Sequence, residues 1–554
     1  MDALRSLVHR GLRDPPSILH VLHSALHSHS FLIWLVLPTL VARFLYTKLF
    51  PRRSSIRYMP GPPNTDWLRG NKHRTMVAQT LKWKKEYGST YRVYSLFGTT
   101  QVFTSDPVAL NHILQRDDTY QKPSGARFYM QQMMGNGLLA VEDEQHAKLR
   151  RILSPAFSLR QTRLHHPIFL DKALELVSVW SNVQADADGW AAIDVLSGIK
   201  AASLDIIGLA GFNYSFNSLA PDAKPTELDH AMQALHRATP SKWKLPLIFL
   251  RAKFPVLQHI IPPPSFAVAA KQEMERIGMQ LLQDARADSE REKWGTAQER
   301  TDLLSCLVKS NLSENPSRRL SDADVISQIP TFFVAGHETS SVAASWALYA
   351  LALRPEIQST LRAELLSIGT DTPTADAING LAYLDKVVRE VTRLYPAIPH
   401  TGRIALRDDV IPLERGREYV DTRGKRCESI SLVAGDIVYI PIAVVNRDKG
   451  IWGPDADDFI PDRWDALPDS AYAIQSVYSN MLSFLNGAHN CIGYRFAIAE
   501  IKCFLYTLIR NFEFELAGPA EDVVPVVNIV QRPALASQPD KGFQLPMRVR
   551  RANA

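Results

Sequence analysis

Cysteine is scarce in this chain: Cys306, Cys427, Cys491 and Cys503 are scattered over 554 residues. So thin a set excludes a disulfide framework and points to a reducing compartment. Excess charge is scarce as well. A formal net charge of +6 is small for this length, and no basic run carries interleaved aromatics, which speaks against a nucleic-acid-binding protein. Internal repeats and low-complexity tracts are absent, and no linker-like stretch divides the chain beyond residue 64. With 46% hydrophobic residues, the composition fits one large core with an appendage.

Long apolar runs are few, and the one near the N-terminus stands out. FLIWLVLPTLVA, residues 31–42, continues through Phe44, Leu45, Leu49 and Phe50, interrupted by Arg43 and Lys48. The uninterrupted part is shorter than the ~20 residues of an ideal span, a deficit that snorkelling of Arg43 reduces. It lies too far from Met1, and lacks the small-residue cleavage site, for a secretory signal. Arg52, Arg53 and Arg57 follow it, then Pro60-Gly-Pro-Pro63, a stiff hinge. Basic residues on that side favour a cytosolic domain, although Arg5, Arg10 and Arg13 reduce the asymmetry. The expected organisation is an extension (1–30), a single-pass anchor (31–50), a basic, proline-rich hinge (51–64) and a catalytic domain (65–554). An interfacial amphipathic helix is the alternative to the anchor. With that domain in the cytosol, the Asn-x-Ser matches at Asn213 and Asn311 are chance.

YRVYSLFGTTQVFT, residues 91–104, reads as a hairpin turning near Gly98. Helical periodicity dominates afterwards, with apolar faces at 107–114, 170–180, 204–209 and 273–282, and extended sequence returns at 410–413 and 437–442. The fold class is therefore mainly α with small β-sheets.

Ser321 and Asp324 form a capping-box pattern opening a helix to about Leu353, within which Pro330 is expected to disturb the regularity. Phe332, Ala335, Gly336, Thr339 and Ala343 share one face of it. That face has a gap at Gly336 for a small ligand, beside an acid, Glu338, and a hydroxyl, Thr339. His337-Glu338 lacks the second His of a zinc protease, since position 341 is Ser. Glu390 and Arg393 are three apart on another helix and by themselves read as a surface pair.

The most informative run is FLNGAHNCIG, residues 484–493. Gly487 and Gly493 permit turns and close backbone approach. Apolar spacing from Tyr494 to Phe512 predicts a helix, so Cys491 stands just before its N-terminus, where free amides and the helix dipole favour a thiolate. An inert buried cysteine is the bland alternative.

This run resembles the haem-binding signature of the cytochrome P-450 family, Phe-x-x-Gly-x-Arg-x-Cys-x-Gly, with His489 in place of Arg. Further segments extend the resemblance from about Pro60 to the C-terminus. It implies the family's triangular prism of helices around heme b, the iron axially ligated by the Cys491 thiolate, with Phe484 and Gly487 in the cofactor loop. Glu338 and Thr339 match the catalytic acid-alcohol pair that relays protons to bound dioxygen. Glu390 and Arg393 match the Glu-x-x-Arg motif, completed by Arg463 of FIPDRW. EQHAKLRRILSPAF resembles the Trp-x-x-x-Arg helix, His146 replacing Trp, so His146 and Arg150 are expected at a propionate. Arg403 matches another propionate arginine. His489 is expected to pair with a propionate and to have its pKa raised.

By the same resemblance, electrons come from NADPH through a separate cytochrome P-450 reductase, docked near Lys148, Arg151 and Arg495. Residues 245–264 guard substrate entry and dip into the bilayer; the alternative is a loop covered by its own domain. Ile398 to Thr401 and Phe332 are expected to line the substrate pocket. The run Pro399-His-Thr-Gly-Arg403 through Asp408-Asp-Val-Ile-Pro412 is most similar to microsomal fungal members. The expected function is a monooxygenase of the endoplasmic reticulum membrane, contacting membrane lipid and oxidising a lipophilic, terpenoid-like secondary metabolite. The alternatives are a haem-thiolate isomerase or dehydratase, a xenobiotic or fatty-acid oxidase and, last, a non-catalytic haem-binding protein.

Overall fold

Ser321 starts the longest helix by a reciprocal cap: its hydroxyl accepts from the Asp324 amide while the Asp324 carboxylate accepts from the Ser321 amide. The helix, Asp322–Ala352, is about 45 Å long. It runs unbroken through Pro330, which is itself buried. The expected disturbance is overridden because the core encloses the helix there, with the consecutive residues Gln328, Ile329, Pro330, Thr331, Phe332 and Phe333 all buried and so covering every face.

A computed structural model describes residues 36, 38–44, 54–67, 70–71, 77–95, 98–220, 265–293, 302–311 and 319–552. Two compact units, Met1–Ser55 and Ile56–Ala554, divide the chain. In the first, the described residues 36 and 38–44 are helical. The rest of the expected anchor, and the whole loop 245–264, lie outside the described residues.

Within the larger unit the helices expected from periodicity are present as Pro107–Gln115, Leu159–Ser181, Val195–Phe212 and Ser265–Lys293. Among the described residues only Val195–Phe212 is long and apolar enough to cross a membrane, yet most of it is buried in the protein, so it is a core helix packed along Asp322–Ala352. Helix Tyr494–Asn511 packs on Leu159–Ser181, with Phe496 set edge-on to Phe169 at 4.8 Å. It stops one residue before the expected end, because Phe512 opens strand Phe512–Leu516 and pairs with Arg551.

The hairpin forms as expected, Thr90–Tyr94 against Thr100–Thr104. It edges a five-stranded sheet continued by Ile437–Ile440, Thr401–Ala405 and Tyr120–Gln121. Gln121 lies opposite Ile404 in this sheet. That register brings Lys122, the next residue, close to Arg403.

Candidate haem site

Backbone geometry fixes the loop that carries Cys491. After the turn Leu482–Phe484 the chain passes through left-handed conformations at Leu485 (φ 58°) and Gly487 (φ 72°). A Cβ on Gly487 would sit 1.9 Å from the Leu114 carbonyl oxygen, so only glycine fits. The Cys491 amide then donates to Phe484 O at 2.9 Å, closing the loop at the entrance to helix Tyr494–Asn511. Gly493 departs from expectation. Its φ is −92°, and a Cβ there would meet the Phe157 ring at an ordinary 3.6 Å.

The Cys491 side chain is exposed, although it lies deep enough for burial to raise its pKa. Cys491 is thus accessible while surrounded by protein. The Gly493 amide and the Arg150 guanidinium pull the pKa down, as a helix N-terminus should, but burial outweighs them, correcting the expected depression. Thiolate formation at such a site accompanies metal binding. Cys503 is the buried alternative and is already engaged. His166 Nε2 lies 2.9 Å from Pro373 O, which can only accept, so Nδ1 is the acceptor facing the Cys503 thiol at 3.5 Å. Enclosure raises the Cys503 pKa as well.

Cations gather around this loop. Arg150 Nη1 donates to Asn490 O at 2.5 Å and Nη2 to Asn490 Oδ1, gripping the loop from helix Asp143–Leu153. Arg403 is 3% exposed, and its guanidinium donates only to Thr401 Oγ1 and the Gly402 carbonyl, with no carboxylate at ion-pair distance among the described residues. His489 is held otherwise than expected. The Lys122 ammonium donates to its Nδ1 at 3.2 Å, and Nε2 lies 2.8 Å from Glu142 Oε2. An ammonium cannot accept, so Nδ1 is unprotonated and the proton sits on Nε2. Both ring nitrogens are thus occupied. Burial lowers the His489 pKa, with Lys122 and Arg403 adding to it against Glu142, the reverse of the expected rise. His146 packs its ring 4.0 Å from that of His489, and burial takes its pKa down to about 3.

Glu338 and Thr339 are side by side on Asp322–Ala352. Thr339 Oγ1 donates to Ala335 O at 2.6 Å, which leaves its lone pairs available to accept. Glu338 is buried and paired with Arg532 of strand Gln531–Leu535, whose Nε donates to Oε1 at 2.6 Å. Gly336 does not leave a gap for a small ligand. A Cβ there would lie 2.8 Å from Ile207 Cδ1, so this glycine serves close approach of helix Val195–Phe212. Phe332 is buried against Phe157, ring centroids 5.4 Å apart. Pro399 and His400 line a small cleft with Val77, Tyr439 and Val527 that includes neither Cys491 nor Thr339.

Glu390, Arg393 and Arg463 are a buried network and not a surface pair. Arg393 Nε and Nη2 donate to the two Glu390 oxygens at 2.9 and 2.7 Å, and Arg463 Nε donates to Oε1 at 3.3 Å. Lys148, Arg151 and Arg495 are exposed. Sequence reasoning missed Lys122, Glu142 and Arg532, whose partners are distant in the chain.

These residues fit haem. An accessible cysteine held in a fixed loop would suit an iron ligand, and a buried arginine with no carboxylate at ion-pair distance among the described residues would suit a propionate. The chain matches the Cytochrome P450 family over residues 60–541. It is 42% identical over 515 residues to Cytochrome P450 monooxygenase 205 of Postia placenta, covering 90% of this chain and 93% of that protein. To Cytochrome P450 monooxygenase 128 of the same fungus it is 41% identical, with 91% and 94% covered. To Cytochrome P450 monooxygenase claU of Ampulloclitocybe clavipes it is 33% identical over 521 residues, again with 91% and 94% covered.

Proposed function

The chain belongs to the cytochrome P450 monooxygenase family, and from that premise we propose that it oxidises a lipophilic, terpenoid-like molecule of fungal secondary metabolism, using O2 and electrons passed from NADPH by a separate reductase. Heme b bound through a cysteine supplies the redox-active iron, and its thiolate ligand favours O–O cleavage.

Cys491 is the residue we assign to that iron. Its open sulfur, in a loop that a Cβ at Gly487 would disrupt, supports the assignment. Arg403 is assigned to a propionate because it is a buried cation with no carboxylate at ion-pair distance among the described residues, and Arg150 and His146 share helix Asp143–Leu153. His489 acts one step back: bridging Lys122 and Glu142, it steadies the loop that carries Cys491.

Proton delivery falls to Thr339 and Glu338. The Thr339 hydroxyl, its own proton directed to Ala335, accepts a proton on its free lone pairs and passes one on. Glu338 is held as a carboxylate by Arg532, so it relays a proton only by first taking one up from solvent as that ion pair loosens, then passing it on and re-forming the pair.

Residues 31–50 serve as the endoplasmic reticulum anchor in this reading. Helical geometry at residues 38–44, with Val41 and Phe44 exposed, supports it. The exposed cations Lys148, Arg151 and Arg495 suit an acidic reductase.

The observation carrying the proposal is the exposed Cys491 in a loop that a Cβ at Gly487 would disrupt and that Arg150 grips through Asn490. Its test is incubation with reductase, NADPH, isotopically labelled O2 and a terpenoid panel. One labelled oxygen atom per product molecule is expected. NADPH oxidation that no compound stimulates, without labelled product, would contradict the reading.

A further inference from the structure

Glu500 lies on helix Tyr494–Asn511 with 0% of its surface exposed. No cation lies within ion-pair distance of it among the described residues. Its Oε1 is 2.7 Å from Ser203 Oγ, on helix Val195–Phe212. The same hydroxyl is 3.0 Å from the main-chain carbonyl of His337, on helix Asp322–Ala352. A carbonyl oxygen and an ionised carboxylate can both only accept, and Ser203 has one proton for the two of them; both contacts are hydrogen bonds when that proton goes to His337. The short contact with Glu500 is then a hydrogen bond only if the carboxyl donates.

We propose that Glu500 is a positioning residue that acts as a neutral carboxylic acid, donating to Ser203 and thereby pinning the His337 turn, next to Glu338 and Thr339, to the helix that follows Cys491. Ile207, one turn beyond Ser203, occupies the space beside Gly336, so the link anchors the long helix next to a close approach of the two helices. The groups facing Glu500 are Ser203, the Ser340 hydroxyl on the long helix, and Cys503 on its own helix, beyond which His166 of Leu159–Ser181 accepts from Cys503. The nearby cation Lys502 is committed to Asp385 at 2.8 Å. Burial, opposed by the two serines, raises the Glu500 pKa to about 8. Raising the pH past that value ionises the acid and breaks the donor link.

The direct test is infrared difference spectroscopy of the holoenzyme against Glu500→Gln. Expected is a neutral-acid C=O band at about pH 7 that shifts in D2O, falls to about a tenth of its low-pH intensity by about pH 9 and is missing from the variant. Absence of that band at neutral pH overturns the proposal. A second arm rests on the monooxygenase reading: the ratio of peroxide to product should rise at least about twofold from pH 7 to pH 9 in the wild type. It should stay flat in Glu500→Gln, whose amide still donates and cannot ionise, and be high throughout in Ser203→Ala. A Glu500→Gln profile that rises like the wild type also overturns it. The infrared arm needs no turnover, so it stands or falls separately from the assigned activity.

Discussion

Replacing Glu142 with Gln tests the bridge behind the Cys491 loop. Lys122 donates to Glu142 Oε1 through both its amide, at 3.0 Å, and its ammonium, at 2.8 Å, while His489 Nε2 lies 2.8 Å from Oε2. Burial acts to raise the carboxyl's pKa, but the His489 hydrogen bond and Lys122 overcome it and hold the group at about 2, against an ordinary 4.5. A depression of that size corresponds to roughly 3 kcal/mol of stability at neutral pH. Because the folded pKa is the lower one, this stabilisation is complete above about pH 4.5 and disappears as pH falls toward about 2. Glu142→Gln should therefore cost about 3 kcal/mol at pH 7, and the gap to the wild type should narrow on acidification. Urea unfolding followed by tryptophan fluorescence reads the gap, and transfer of haem to an acceptor globin reads the loop, where faster release is expected. Equal urea midpoints at neutral pH, or a gap that ignores acidification, would refute the reasoning.

Thr339→Ala should leave haem binding nearly intact while raising the ratio of peroxide to product per NADPH, since a hydroxyl relay contributes about 10²-fold or more to proton transfer; unaltered coupling counts against the relay. Gly336→Ala should destabilise by about 1–2 kcal/mol, overpacking against Ile207 outweighing the gain in helix propensity, and Ile207→Ala in the same chain should cancel the clash in a double-mutant cycle. Glu390→Gln leaves two buried guanidinium groups under-compensated and should cost about 3–5 kcal/mol, measured as lost soluble haem protein and a lower melting temperature.

Local signals made much of this legible. The Ser321 cap, the hairpin around Gly98 and the apolar faces of the helices act within a few residues, and each element forms nearly where its pattern put it. The turn at Gly487 was legible for the same reason. Pro330 shows local propensity losing to tertiary enclosure, because a helix packed on all sides tolerates one missing backbone bond. Illegible were pairings across the chain: His489 with Lys122, 367 positions apart, and Glu338 with Arg532, 194 apart, leave no local trace. The protein contacts of His489, with Lys122 and Glu142, were hidden for that reason. A motif position shows that a polar side chain is wanted there, but not which neighbours the fold supplies. Gly336 misled similarly, since a glycine gap in a helix looks the same whether a ligand or another helix fills it.

The account rests on one sulfur. Recording the ferrous–carbon monoxide spectrum of the purified protein beside Cys491→Ala and Cys503→Ala tests it most directly. The thiolate-type spectrum should be present in the wild type and in Cys503→Ala, whose thiol is occupied with His166, and lost in Cys491→Ala. A thiolate spectrum that survives in Cys491→Ala, or disappears in Cys503→Ala with the haem still bound, would contradict the assignment.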